Sequence, residues 1–303
     1  MATDTQPDPG SVPEGESNAG FLNLSPERTA QAKRIGFHAL LWSLIAIVLF
    51  PVFWMFIVSV NQTSFEAFVG DPLGWAANAN LEGYRDVWFG SDFRYWFRNS
   101  LLVSIGATIL SIAVCTLGAY SIGRLRYRGR KAVATFLLIT QMFPAILIAI
   151  PLFLVFRDIG LFNTLTGLVI AYVAFTLPFA IWMLRGFYEN LPESLEEAAM
   201  IDGSTRFGAV VRVILPLSAP AIATTAIFTW VQAWNEFVFA LILINDSQTQ
   251  TLPPGMSQWV GQYALQWDML MAGALGATLP MLIVFFLLQS YIVKGLAEGA
   301  VKS

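Results

Sequence analysis

The chain is poor in the residues that soluble chemistry uses. It has one cysteine, Cys115, and one histidine, His38. A lone cysteine excludes an intrachain disulfide, and a lone histidine excludes a metal site built on several imidazoles. Charge is scarce too: 12 % of the 303 residues are charged and 56 % are apolar, where a soluble chain carries roughly a quarter charged. With so few charges, much of the surface must face lipid. The net charge of −3 gives no argument for a nucleic-acid partner. No G-x-x-x-x-G-K-[ST] run occurs, so this chain has no phosphate-binding loop for ATP. No catalytic constellation and no binding motif for a cofactor are visible either.

The first 27 residues lack Lys and Arg, which argues against the basic start of a signal peptide. They hold Pro7, Pro9, Gly10, Pro13 and Gly15 with five acidic residues. Low hydrophobicity and uncompensated charge predict a disordered acidic tail over 1–27. Residues 28–303 then form one membrane domain.

A bilayer core needs roughly 20 apolar residues as helix. Six segments meet this: 37–59, 100–123, 132–156, 165–184, 219–244 and 272–293. All must be helical, because an isolated strand would leave backbone groups unpaired in lipid. The expected fold is an all-α integral membrane protein with six transmembrane helices. Thirteen of the 17 basic residues fall on one side of it, among them Arg124, Arg126, Arg128, Arg130 and Lys131. Only Arg85, Arg94, Arg98 and Arg157 fall on the other. Basic loops stay in the cytoplasm, so a multi-pass protein of the cell membrane with both termini cytoplasmic is expected.

The opposite side carries two long loops, 61–99 and 245–271, rich in Trp and Tyr: Trp75, Tyr84, Trp88, Tyr95, Trp96, Trp259, Tyr263 and Trp267. Such aromatics anchor helix ends at the headgroups, or they form a docking surface. Prolines 51, 144, 151, 178 and 280 lie in the spans. They read either as packing kinks or as bends around a translocation path.

The segment 191–216 is short, polar and set between two apolar spans. Pro192 and Glu193 suit a first helical turn, and Ser194 with Glu197 has the spacing of a capping box. Gly203 can stop this helix in the left-handed conformation. Ser204 or Thr205 can cap a second helix, whose Phe207, Val210, Val211 and Ile214 share one face. Pro216 should end it before the fifth span. From the residues alone, this hairpin either rests on the headgroups or docks to a partner.

The order Glu197-Ala198-Ala199, three residues, Gly203, nine residues, Val213, one residue, Leu215-Pro216 resembles the EAA loop of the membrane subunits of binding-protein-dependent ABC importers. One position departs, Val213 for the family's Ile. The resemblance implies a type I importer permease fold in which 191–216 is the coupling helix. Glu197, Ala198, Ala199, Asp202, Gly203, Phe207, Leu215 and Pro216 would then meet a cytoplasmic ATPase. Trp234-Asn235-Glu236-Phe237, Thr251-Leu252-Pro253 and the ending from Ile292 to Lys302 are similar to the second permease subunit of maltose-type carbohydrate importers. That similarity runs from about Gly36 to Ser303 and departs at Ala297-Glu298 and Ser303. It implies a second homologous permease, two ATPase subunits that bind ATP and Mg, and an extracytoplasmic sugar-binding protein.

Glu236 is the one acidic residue of the fifth span. A carboxylate inside a bilayer is costly and is a functional candidate by default. Gln232, Trp234 and Asn235 lie beside it in sequence, and Gln141 is a further candidate in the third span. Aromatic faces with amide and carboxyl groups suit a sugar. Glu236 is read either as part of a sugar path or as a structural partner of a neighbouring helix. The function expected is therefore a carbohydrate importer's permease. The alternatives are a permease for another solute and an ion-coupled secondary transporter, whose inverted repeats and mid-membrane acids would leave the hairpin unexplained.

Overall fold

The computed structural model describes residues 26–61, 70–260 and 266–300, and all regular elements among them are helical. The expected tail up to residue 25, Tyr263 and the last three residues lie outside these. The long elements are α1 (Pro26–Ser59), α2 (Phe93–Arg124), α3 (Arg130–Thr140), α4 (Ala145–Asp158), α5 (Leu165–Asn190) and α6 (Ser194–Ile201). A further helix, α7 (Arg206–Leu217), is followed by α8 (Ala219–Trp234), α9 (Val238–Leu243) and α10 (Trp267–Ala300).

The chain divides into two units, Met1–Pro51 and Val52–Ser303. The described part of the first is helical and turns apolar side chains such as Leu40, Trp42 and Ile47 outward, as a helix bathed in lipid would. In the second unit α2 and α5 are the central pair, α8 packs on both, and α10 packs on α8. Gly106 and Gly118 of α2 lie against Val169 and Ile181 of α5, in the same order along both helices, so the two run parallel. The close approach is locked by a buried hydrogen bond between the Ser111 and Thr176 hydroxyls, 3.0 Å.

Four of the expected spans are uninterrupted helices: α1, α2, α5 and α10. All four run past the apolar segments read from sequence, because hydropathy marks the lipid-facing stretch and not the polar turns beyond it. The other two crossings are not single helices, contrary to the expectation for 132–156 and 219–244. Between α3 and α4 the axis turns by 97°. Pro144 stands there as the cap of α4; it has no N–H to continue a helix and pushes the preceding residue out of helical geometry. Between α8 and α9 the helix stops at Asn235 and restarts at Val238 without any proline. Prolines 51, 151, 178 and 280 lie inside continuous helices. Proline content alone therefore does not locate the breaks.

α2 is 32 residues long, about 48 Å at 1.5 Å per residue. It links two ends of the bundle. At its start, Trp96 Nε1 donates to Ser247 O at 2.7 Å, and Asn99 Nδ2 donates to Gln248 O and Gln250 O at 2.8 and 3.0 Å. The Leu252 amide donates to Ser100 Oγ at 2.7 Å. These bonds hold the segment after α9 down on α2. Phe93, Trp96, Trp230, Trp234 and Trp259 form a buried aromatic cluster beneath it, so Trp96 and Trp259 are core residues rather than headgroup anchors. A Cβ at Gly255 would fall within the Trp96 ring, and this is why the segment can lie so close.

Candidate functional site

At the other end of α2 sits the hairpin. The structure corrects its expected start: Glu193 caps α6, no side-chain capping bond forms, and Ser194 is already helical. The Ser194–Glu197 capping box is therefore absent; the amides of Glu196 and Glu197 bond the Glu193 carbonyl instead. The stop is as expected. Gly203 has φ +86°, its amide bonds Met200 O, and the Ser204 amide bonds Ala199 O at 3.0 Å. Together these make a Schellman turn. Thr205 then caps α7 by accepting from the Gly208 amide at 3.1 Å.

α7 departs from expectation in two ways. It does not end at Pro216 but runs to Leu217 and meets α8 at Ser218 with a 76° bend. The turn falls between Pro216 and Pro220, where the missing N–H of Pro220 breaks the helical ladder. Upstream, Val210–Ile214 widens into a π turn in which the Leu215 amide reaches Val210 O. Secondly, the apolar face divides. Ala209, Val210 and Ile214 are buried, whereas Phe207 and Val211 are exposed. With Ile201, 85 % exposed, Phe207 forms an uncovered apolar pair on either side of the turn. Glu197, Ala198, Asp202, Gly203 and Pro216 are also exposed; Ala199 is buried and Leu215 is packed in part. The expected coupling residues thus lie mostly on one accessible surface.

What fastens this surface to the bundle was missed from sequence. Arg124, the last residue of α2, donates from Nε to Glu196 Oε1 at 2.7 Å, and the two side chains are only 6 % and 13 % exposed. Its Nη1 donates to Leu191 O at 2.6 Å and its Nη2 to Pro192 O at 3.1 Å. Tyr120, one turn earlier on α2, donates to Glu196 Oε2 at 3.1 Å. Removing one partner from such a buried pair costs about 3–5 kcal/mol. Arg126 with Glu193, by contrast, is an exposed pair, the kind that contributes about 1 kcal/mol or less. The available signal was Tyr120 and Arg124 at i, i+4 on a helix end; the basic run around Arg124 drew attention only as a topology marker. A cleft of about 350 Å³ opens beside the pair, lined in part by Glu197, Met200 and Arg206.

The residues expected on a sugar path do not form one cluster. Gln232 and Asn235 are exposed along one side of the end of α8. Trp234 is buried, with its ring stacked on Trp230 at 5.1 Å. Glu236 sits in the break, one residue before Phe237, the N-cap of α9, and its carboxylate covers the helix start: Oε1 accepts from the Phe239 amide at 2.8 Å and Oε2 from the Ala240 amide at 3.2 Å. Gln141 stands at the other break and donates to Phe175 O at 3.0 Å. The Phe175 ring meets Phe239 edge-on at 5.6 Å, so both breaks are held against the same turn of α5. The Tyr172 hydroxyl is buried beside Glu236 and beside the Thr251 hydroxyl, yet neither hydroxyl has a partner in hydrogen-bond geometry. Among the described residues, no group of three His, Cys, Asp or Glu is placed to hold a metal.

A helical bundle with two broken crossings and a projecting hairpin defines the class: a membrane transport subunit. The chain belongs to the family described as the binding-protein-dependent transport system inner membrane component, which it matches over residues 116–298. It is a multi-pass inner-membrane protein whose work is transport and not catalysis. It is 36 % identical to the trehalose/maltose transport system permease protein MalG of Thermococcus litoralis, over 86 % of this chain and 94 % of that one. It is 34 % identical to the trehalose transport system permease protein SugB of Mycobacterium tuberculosis, over 89 % and 99 %. With the diacetylchitobiose uptake system permease protein DasC of Streptomyces coelicolor it shares 33 % identity over 84 % and 92 %. A chain in the crystal structure of a bacterial ABC transporter that imports the polysaccharide alginate superposes with a TM-score of 0.71 at 22 % identity, over 88 % of this chain and 98 % of that one. The fold is thus that of an ABC importer permease.

Two expectations follow. Gly203→Val has room for its side chain, so its effect isolates the left-handed backbone, at a cost of about 1–2 kcal/mol. The hairpin of this variant should be cut faster by limited proteolysis than the wild type, while the membrane-embedded part stays intact; equal rates would show that the turn does not need glycine. Glu236→Gln keeps the shape but has one acceptor for two amides. An orphaned buried N–H costs about 1–3 kcal/mol, so the purified variant should unfold at a lower temperature, with an unchanged midpoint excluding the capping role.

Proposed function

We propose that this chain is the permease subunit of an ATP-driven carbohydrate importer and that the 197–216 hairpin is the surface on which a separate ATPase docks. The observation that carries this reading is the hairpin itself. Ile201 and Phe207 are bare on a polar projection, and an exposed apolar pair on a rigid turn is the anchor a protein partner needs. The chain has no phosphate-binding loop of its own, so ATP and Mg belong to that partner, and no cofactor is assigned here. Residues 28–303 form the permease domain, and 1–27 an acidic tail outside it.

The carbohydrate class is supported by the names of the relatives, several of which transport disaccharides. A second homologous permease completes the path, two ATPase subunits dock below, and an extracytoplasmic binding protein delivers the sugar. The two breaks are where the path is placed. Gln232 and Asn235 offer amides on an accessible side of α8, while Gln141 and Glu236 hold the broken backbone in shape. Trp234, in the aromatic core, acts by packing.

The test is capture of the complex from its own membranes through a tag on this chain, followed by reconstitution with the binding protein. An ATPase should co-purify, and proteoliposomes should accumulate labelled trehalose, maltose or diacetylchitobiose only with ATP inside. Recovery of this chain without an ATPase, or accumulation driven by an ion gradient alone, would refute the reading.

The orientation is also proposed: termini and hairpin on the cytoplasmic side, supported by the basic residues gathered there. In a Cys115→Ala background, an impermeant thiol reagent should label Gln250→Cys in sealed cells and leave Ser204→Cys unlabelled until the cells are opened. Labelling of both in sealed cells would reject this topology.

A further inference from the structure

The EAA resemblance directs attention to Glu197, but the geometry points to its neighbour. Glu197 is exposed on the surface of the hairpin. Glu196 turns the other way, into the junction where Arg124 ends α2. We propose that Arg124 is the positioning residue of coupling: by gripping Glu196 and the Leu191–Pro192 backbone at once, it makes the hairpin move as one body with α2 and α5. This rests on the reading of the hairpin as the ATPase dock.

The argument is mechanical. Between the last turn of α5 and the first turn of α6 lies a short bend, Leu191 to Glu193, where the chain is extended at Leu191, with ψ +139°. A bend of this kind is where a push on the hairpin would be dissipated by backbone rotation. Arg124 closes it. Its planar fork reaches the Leu191 carbonyl, the Pro192 carbonyl and the Glu196 carboxylate from one rigid group. Pro192 adds a fixed φ of its own, and Tyr120 holds the second carboxylate oxygen. The bend is thereby spanned on both sides by atoms belonging to α2. The same α2 runs to the far end of the bundle, where Trp96, Asn99 and Ser100 hold the segment after α9. A displacement of the hairpin delivered to Arg124 therefore reaches that segment through one unbroken helix. The two broken crossings have no such continuity. Lysine could not replace the arginine, since a point charge with a flexible stem lacks the fork that bonds three acceptors at fixed angles.

The experiment uses the whole captured complex in lipid nanodiscs, with spin labels at Ser204→Cys on the hairpin and Ile109→Cys on the outward face of α2, in a Cys115→Ala background. Pulsed electron paramagnetic resonance measures the distance between them without nucleotide and with ATP, Mg and vanadate. In the otherwise unmodified chain the distance should be the same in both states, because the two labels belong to one body. In Arg124→Gln the distribution should broaden, and its mean should shift between the states. A variant distribution that matches the wild type in both states overturns the proposal. If Arg124→Gln does not assemble, Arg124→Lys replaces it; it keeps the charge and loses the fork, and a wild-type distribution there overturns the proposal equally. A complex in which the unmodified chain holds no ATPase would instead overturn the docking reading on which this one rests, so the two failures are told apart by what co-purifies.

Discussion

A backbone group inside a bilayer has no water to turn to, so every departure from regular helix must be matched by a side chain or a neighbouring strand of backbone. The irregular points of this chain follow that constraint closely. Glu236 accepts the amides released where the fifth crossing breaks. Gln141, at the break in the third, satisfies a carbonyl of α5. Asn99 and Ser100 hold the segment after α9. Arg124 does the same for the exit from α5. Polar residues that look misplaced in apolar helices are the ones that permit irregular backbone there.

This places two kinds of element side by side. α2 and α5 are continuous, parallel and locked by small residues and a hydroxyl pair. The third and fifth crossings are divided and pack on that pair through α3, α8 and α9, with α4 packed on α9. A transporter needs both: stiff members to carry motion between its ends, and interrupted members whose exposed backbone and amides can line a path. The hairpin runs on directly into α8 of the fifth crossing, and a buried ion pair that would be costly to leave half-made ties it to the stiff pair as well.

Much of the hairpin was legible in sequence because its determinants are local. Gly203 and Thr205 act on backbone within a few residues, and the turn and the second cap fall where their chemistry predicts. The first cap was misread because Ser194 and Glu197 have the right spacing, while the chain leaving α5 enters α6 already helical at Glu193. The apolar face of α7 was misread for a different reason. Periodicity says which residues share a side; it does not say how much of that side the bundle covers, and Phe207 is left outside while Val210 is enclosed.

The sequence by itself determined that the chain is an all-helical membrane protein, where its apolar segments lie, where the hairpin turns and which family it resembles. These follow from composition, from hydropathy over one helix length and from short-range backbone preference, none of which needs a distant partner. Only the tertiary structure decided that two crossings are broken, that Glu236 caps a helix, that Trp96, Trp234 and Trp259 are core, and that Arg124 grips Glu196. The core positions and the Arg124 grip depend on residues far apart in the chain or on how much neighbouring helices cover, and no local pattern encodes that; Glu236 bonds amides only three and four residues on, but those amides are free only because the crossing breaks there. Arg124 and Glu196 are separated by 72 residues. They meet because α2 and α5 run parallel and end together, so that the last turn of one closes the bend that follows the other.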